Sequence, residues 1–396
     1  MRMIRLLPIP PIVAALACGE DVQAPTAPES NAPAPAVAAA VAPLSFRQIS
    51  AGGSHSCGVT VGDRAYCWGR NEDGQLGDGS TASRTVPVAV AGGLRFKHVS
   101  TGGTHTCGVT LDDRAFCWGW NGDGQLGDGT RDDRLTPGAV AGGRKFRQIR
   151  AGSVHTCAIT PANVAFCWGS NAYGQLGVGS IDNGRLTPVR VQGSREWLQL
   201  TAGAGHSCGV TTANKAYCWG NSAFGELGDG SQNVTRPAPV AVSGGLLFRQ
   251  IEAGTLHTCG VTSSDSKAYC WGSNINGQLG DGTRTDRLTP TAVAGSRRFD
   301  HLNAGQTHTC GVTLTSRGFC WGDNRQAQLG DGTFTSRLKP VALGVALALT
   351  QVTAGNTHSC AVTTGNKAYC WGDNAYGQLG EGTVGTHVLP VLVSGQ

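Results

Sequence analysis

The chain has 396 residues, a net charge of +5, charged residues at only 14% and 60 glycines. Its lysines and arginines are scattered, so it lacks the concentrated basic stripe of a nucleic-acid binder, and its glycines follow no collagen-like period of three. Sparse charge with abundant Gly, Thr, Ser and Val points to an all-β protein with many turns and buried sheet faces.

The N-terminus reads as an export signal. Met1 to Arg5 carries two arginines. Leu6 to Ala17 is mostly apolar, has the length of a signal h-region, and is shorter than the ~20 residues a membrane-spanning helix needs. Residues 1–17 are therefore read as a signal peptide, ending Ala15-Leu16-Ala17-Cys18-Gly19. Small residues before a cysteine form the pattern of a bacterial lipoprotein signal, in which Cys18 is lipidated. Against this, Ala15 replaces the usual large aliphatic residue, and Pro8, Pro10 and Pro11 interrupt the h-region. A plain secretory signal with an incidental cysteine is the alternative. Residues 18–45 contain Ala24-Pro25-Thr26-Ala27-Pro28 and Ala32-Pro33-Ala34-Pro35 with no aromatic residue. Such a segment cannot bury a core and favours extended polyproline conformations, so it is read as a tether reaching up to roughly 80 Å at ~3.1 Å per residue.

From Phe46 one pattern recurs to the end of the chain. Histidines stand at 55, 105, 155, 206, 257, 308 and 358, each three residues after a glycine and two before a cysteine. A second cysteine, Trp-Gly, a Gln-Leu-Gly-Asp-Gly run or close variant, and a proline follow in every copy. A length prior would divide the chain into two or three domains, but seven in-phase repeats take precedence. In the first copy Phe46 to Ser50, Ser54 to Val61, Arg64 to Trp68 and Val86 to Val90 read as strands. Gly62-Asp63 forms the hairpin turn, Asn71 to Ser80 a glycine-rich loop, and Pro87 suits an edge strand. The second strand is uncharged on both sides, so both its faces must be covered. First and last copies look like the middle ones, whereas a linear stack needs distinct caps. Residues 46–396 are therefore predicted to form a closed ring of seven four-stranded blades, a β-propeller.

Fourteen of the fifteen cysteines fall into seven pairs: Cys57/Cys67, Cys107/Cys117, Cys157/Cys167, Cys208/Cys218, Cys259/Cys270, Cys310/Cys320 and Cys360/Cys370. Within the predicted hairpin the two members of a pair lie opposite one another, close enough for a disulfide, and an exported protein meets oxidising conditions. Fourteen buried thiols are the alternative. Zinc fits poorly, because ligand pairs are spaced by two to four residues and these by nine or ten. The unpaired cysteine is Cys18, where lipidation would consume it.

Gly-x-x-His-(Ser/Thr)-x-x-(Val/Ile)-Thr followed by Trp-Gly-x-Asn-x-x-Gly-Gln-Leu-Gly-Asp-Gly resembles the repeat of the regulator-of-chromosome-condensation family, over about 46 to 396. The resemblance implies a seven-bladed propeller. Family functions range from nucleotide exchange on a nuclear GTPase, through a plant photoreceptor using clustered tryptophans, to a secreted bacterial inhibitor of β-lactamases. The repeat motif is structural and specifies fold rather than function. The cysteine pairs depart from the eukaryotic pattern and fit an exported bacterial branch.

No metal, cofactor or catalytic set is predicted. One histidine per blade places the seven tens of ångströms apart, each supporting its own glycine turn. The repeat tryptophans (Trp68, Trp118, Trp168, Trp219, Trp271, Trp321, Trp371) are expected to pack blade against blade. Asp-Gly in Leu-Gly-Asp-Gly is turn chemistry, because the ligand spacing and terminal glutamate of a calcium loop are missing. The variable positions after each tryptophan are more informative, since in a ring they share one rim. Arg70, Trp120, Tyr173, Phe224, Arg325 and Tyr376 stand there as candidate partner-binding residues. Trp120, Tyr173 and Phe224 come from consecutive blades, as an interaction hot spot would require, although each could merely cover its own loop. The expected protein is a monomeric, exported, non-catalytic binding module for a protein or cell-envelope partner. It binds no nucleic acid and meets the membrane only through a lipid on Cys18. The alternatives are an exchange-factor-like regulator and a secreted enzyme inhibitor.

Overall fold

A computed structural model of the protein describes residues 43–396. The expected signal peptide, Cys18 and nearly all of the tether lie outside the described residues. The described chain is all β: seven separate four-stranded antiparallel sheets in strict sequence order. In the first blade these strands are β1 (Phe46–Ala51), β2 (His55–Thr60), β3 (Ala65–Gly69) and β4 (Arg84–Ala89). The other six blades begin at Phe96, Gln148, Trp197, Phe248, Phe299 and Leu349, and the last ends at Leu392. β4 starts two residues earlier than the sequence indicated, because Arg84 pairs with Gly69 across a bulge.

Local chemistry explains the meander. The β2–β3 hairpin turns on Asp63 in the left-handed region, φ 61°, where Asp and Asn are the side chains best tolerated. Thr60 N–H donates to Arg64 O at 2.9 Å, which makes 60/64 a hydrogen-bonded pair. Antiparallel pairs alternate, so Cys57/Cys67 falls on a non-hydrogen-bonded pair, where strands approach most closely. Their Cα atoms are 4.0 Å apart and the sulfurs are bonded.

The same register recurs around the ring, and every predicted cysteine pair is a disulfide. Cys107 is bonded to Cys117, Cys157 to Cys167 and Cys208 to Cys218. Cys259 is bonded to Cys270, Cys310 to Cys320 and Cys360 to Cys370. The buried-thiol alternative is thereby set aside. All fourteen cysteines are fully buried, so each bond sits inside the blade packing rather than on the surface. In the fifth blade the extra residue is absorbed by the turn, where Thr262 N–H reaches Lys267 O, so Cys259 still faces Cys270. β2 is buried along its whole length, as expected for a strand covered on both faces.

Blades are joined by repeated bonds rather than by a shared strand. Nearest the axis, Gly53 N–H donates to Gly102 O of the next blade, and Asn356 N–H to Gly52 O where the ring closes. A Cβ on Gly52 would lie 2.6 Å from Gly102 O, so this approach requires glycine. Farther out, Gln48 Oε1 accepts Val99 N–H. Gln148, Gln199, Gln250 and Gln351 repeat the bond, with His98 and His301 substituting through Nε2.

The histidine belt comes next. Gln75 O accepts from Thr106 Oγ1 (2.9 Å) and Trp118 Nε1 (3.0 Å) of the following blade. Having donated its one proton, the Thr106 hydroxyl must accept from His55 Nε2, 2.9 Å away. His55 is therefore the Nε2–H tautomer, and its Nδ1 is a bare lone pair buried without a partner. The same bond links His105 to Thr156, His155 to Ser207, His206 to Thr258, His257 to Thr309, His308 to Ser359 and, closing the ring, His358 to Ser56.

Two expectations are corrected here. Each histidine ties its blade to the next rather than serving only its own turn. Neighbouring histidines are also close enough to act on one another: burial is the main force holding them neutral, but His55 feels His358 and His105, and His155 feels His105 and His206. The tryptophans do pack blade against blade. Each is buried, and a Cβ on Gly77 would lie 2.6 Å from the Trp118 ring nitrogen.

Candidate protein-docking rim

Because each blade is an up-and-down meander, the β1–β2 turn and the long β3–β4 loop lie at one end, which we call the upper rim. The long loop is held from within. Asn71 Nδ2 donates to Ser80 O and Ala82 O, its Oδ1 accepts Leu76 N–H, and Asp78 pairs with Arg84 at 2.9 Å. The Asp-Gly of this run is thus turn chemistry closed by an ion pair.

All six sequence-selected residues start such loops, but their surroundings differ. Arg70 is held by Glu72 (2.6 Å) and Asp73 (3.6 Å). Arg325 pairs with Asp323 at 2.9 Å while its side chain stays 73% exposed. Trp120 is half-buried and lies over Gly122 of its own loop, where a Cβ would meet the indole at 2.6 Å. Tyr173, Phe224 and Tyr376 are exposed at 50%, 38% and 42%. Tyr173 leans onto the fourth blade, its ring carbon 3.5 Å from the Cβ position of Gly205.

The fourth blade holds features that sequence reasoning missed. Gly205 stands where the other copies have Ser54, Thr104, Val154, Leu256, Thr307 and Thr357. Glu226 stands where they have Gln75, Gln125, Gln175, Gln278, Gln328 and Gln378. Ser222 replaces the loop asparagine, and its hydroxyl reaches Leu227 N–H only at 3.5 Å, against 2.9 Å for Asn71 to Leu76. Gly205 and Glu226 meet in one cleft of about 330 Å³ walled by Val154, Tyr173, Asn221 and Leu256, with His206 beneath. Glu226 is 1% exposed, and its Oε2 accepts Phe224 N–H at 2.7 Å. Burial pushes its carboxyl up to about 7, with Asp286 adding to the rise. The signal that could have found this site was the departure of two repeat columns in the same copy.

The repeat histidines offer no acid–base chemistry at neutral pH. Burial holds His55, His105, His155, His257 and His308 down at about 3, and His206 and His358 at about 4.

Residues 14–309 match the model of the RCC1-like domain, and residues 317–362 and 366–396 match the regulator of chromosome condensation (RCC1) repeat. The chain belongs to the RCC1-like domain family. It is 34% identical over 120 residues to the ultraviolet-B receptor UVR8 of Arabidopsis thaliana, covering 29% of this chain and 27% of that protein. Over 120 residues it is 30% identical to the human probable E3 ubiquitin-protein ligase HERC4, covering 29% of this chain and 11% of that protein. The chain thus spans about a quarter or less of the length of these curated relatives. Human WBSCR16 superposes with a TM-score of 0.76 at 22% identity, covering 84% of this chain and 94% of that one. Yeast RCC1 (Prp20), solved bound to Kap60, gives 0.74 at 21% identity, covering 89% and 84%. At these identities the likeness establishes the fold, an RCC1-like seven-bladed propeller.

Proposed function

We propose that this RCC1-like propeller is an exported binding module, anchored at the cell envelope through a lipid on Cys18, that engages a protein partner through its upper rim and performs no chemistry of its own. The observation that carries the reading is the set of exposed aromatics, Tyr173, Phe224 and Tyr376, on a rim whose loops are otherwise held by internal hydrogen bonds. Rigid loops presenting aromatic rings bury large area at low entropic cost. Seven disulfides fit an oxidising, extracellular compartment. Yeast Prp20p, a neighbour in fold, is described with binding properties to Gsp1p and histones, so protein docking on such a ring has precedent. Exchange-factor activity on a GTPase is the second reading, and the disulfides, together with the export signal read from the sequence, weigh against it. An enzyme-inhibitor role would use the same rim. Cross-linked capture from the native envelope tests the proposal. A discrete partner held by the parent ring and lost when Trp120, Tyr173 and Phe224 become alanine supports it, and capture indifferent to all three overturns it.

A further inference from the structure

The upper-rim cleft of the fourth blade differs from its six counterparts in two ways that act together. Removing the side chain at Gly205 opens a space that Ser, Thr, Val or Leu occupies in every other copy. Placing Glu226 at the floor puts a carboxylate where the other copies have a neutral amide. Oε2 accepts Phe224 N–H, and the backbone N–H groups of Glu226 and Gly225 also favour the carboxylate's charge, yet burial outweighs them. Among the described residues Glu226 has no ion-pair partner, and the nearby acid, Asp286, makes the site more negative.

We propose that this cleft is a pocket for one lysine side chain of the partner protein, its methylenes lying between Val154, Tyr173 and Leu256 and its ammonium meeting Glu226. The inference rests on the upper rim being the docking face. Charge complementarity selects a cation, because a buried carboxylate lacking a counter-ion is costly and an ammonium relieves that cost. The walls select a long apolar stem, and lysine carries its charge at the end of four methylenes. With the carboxylate buried and Oε2 already accepting Phe224 N–H, a point charge is accommodated more readily than a guanidinium, which is best satisfied by two parallel bonds to both oxygens. The Tyr173 ring can add a cation–π contact at the mouth.

Two substitutions restore the repeat residue and therefore keep the fold: Glu226→Gln, and Gly205→Thr, whose added Cβ meets nothing nearer than 3.4 Å. The probes are acetyl-Ala-Lys-Ala-amide and its norleucine and arginine counterparts, titrated by NMR. The lysine peptide is expected to bind the parent protein in the millimolar range and the other two at least about tenfold more weakly, a 1.4 kcal/mol difference. E226Q should lose that tenfold preference with a melting temperature at or above the parent's, because it removes an unpaired buried charge, and G205T should block all three peptides at the parent's melting temperature. Equal binding of lysine and norleucine, or binding of lysine unaffected by either substitution, overturns the proposal. A captured partner retained by E226Q and G205T but lost on replacing Phe224 and Tyr376 by alanine would leave the rim reading standing and remove the lysine pocket.

Discussion

Acid should open this ring well before ordinary carboxylate chemistry begins. Each repeat histidine is buried as the neutral Nε2–H tautomer, with a folded-state value near 3 or 4 against 6.5 in the unfolded chain. Between those values the unfolded state binds more protons, so stability falls as pH falls. At pH 5 an unfolded histidine is almost fully protonated and its buried counterpart is not, a difference of about 2 kcal/mol each. Seven such groups sum to about 14 kcal/mol, comparable with the 5–15 kcal/mol total of ordinary domains. His98, which burial also holds at about 3, adds another group of the same sign, and buried His301 and Glu252 are shifted in opposite senses that offset one another. Glu226 works in the opposite sense. Its raised value makes its ionisation destabilising above pH 4.5, so acidification to pH 5 returns about 2–3 kcal/mol, roughly cancelling His98. The assay is urea unfolding followed by tryptophan fluorescence, disulfides intact, from pH 8 to pH 4.5. Stability is expected to fall steeply below pH 6, with a net proton uptake on unfolding of about seven near pH 5. His155→Gln, which keeps a donor toward Ser207, should reduce that uptake by about one. Stability constant to within about 2 kcal/mol between pH 7.5 and pH 5 would refute the buried neutral belt.

Replacing Cys57 and Cys67 together by serine should cost about 2–3 kcal/mol on the chain-entropy model of an ~11-residue loop, and thiol titration of the unfolded, unreduced parent should find essentially no free repeat cysteine. Gly52→Ala should destabilise by ~2 kcal/mol or more in denaturant titration, because the new methyl meets Gly102 O at 2.6 Å. Cys18→Ala should release the protein from the membrane fraction or leave it unprocessed, and a lipid-free mature N-terminus elsewhere by mass spectrometry would exclude the anchor. Alanine at Tyr173 and Phe224 should leave the melting temperature nearly unchanged while abolishing capture, whereas a buried aromatic would cost ~3–5 kcal/mol.

Repetition made the architecture legible. Seven in-phase copies give the blade count, and the spacing of Cys57 and Cys67 about the Gly62-Asp63 turn gives the pairing, because both depend on contacts within one repeat. What lies between repeats was harder to read. The partner of His55 is Thr106, 51 residues away, and only the ring brings them together. A trace of that contact does stand in the sequence: a hydroxyl follows every repeat histidine, from Ser56 and Thr106 to Ser359, which a turn-supporting histidine would not need.

The rim cleft was missed for the opposite reason. A repeat column records what every blade interface requires, so reading the columns for agreement hides any copy that differs. Gln75 and its equivalents brace the loop through Oε1, and Glu226 performs the same bracing through Oε2, so the exchange leaves the loop geometry unchanged. What it changes is the second atom of the group, from an amide nitrogen to a carboxylate oxygen. Gly205 likewise leaves the geometry intact, since the turn it occupies does not require glycine's left-handed freedom. Two departures that keep the scaffold's geometry, one of them burying an unpaired charge, together create an open cleft over an acid and point to a requirement arising outside the scaffold. In a ring whose interfaces are fixed by symmetry, such departures are where a partner's chemistry can be written.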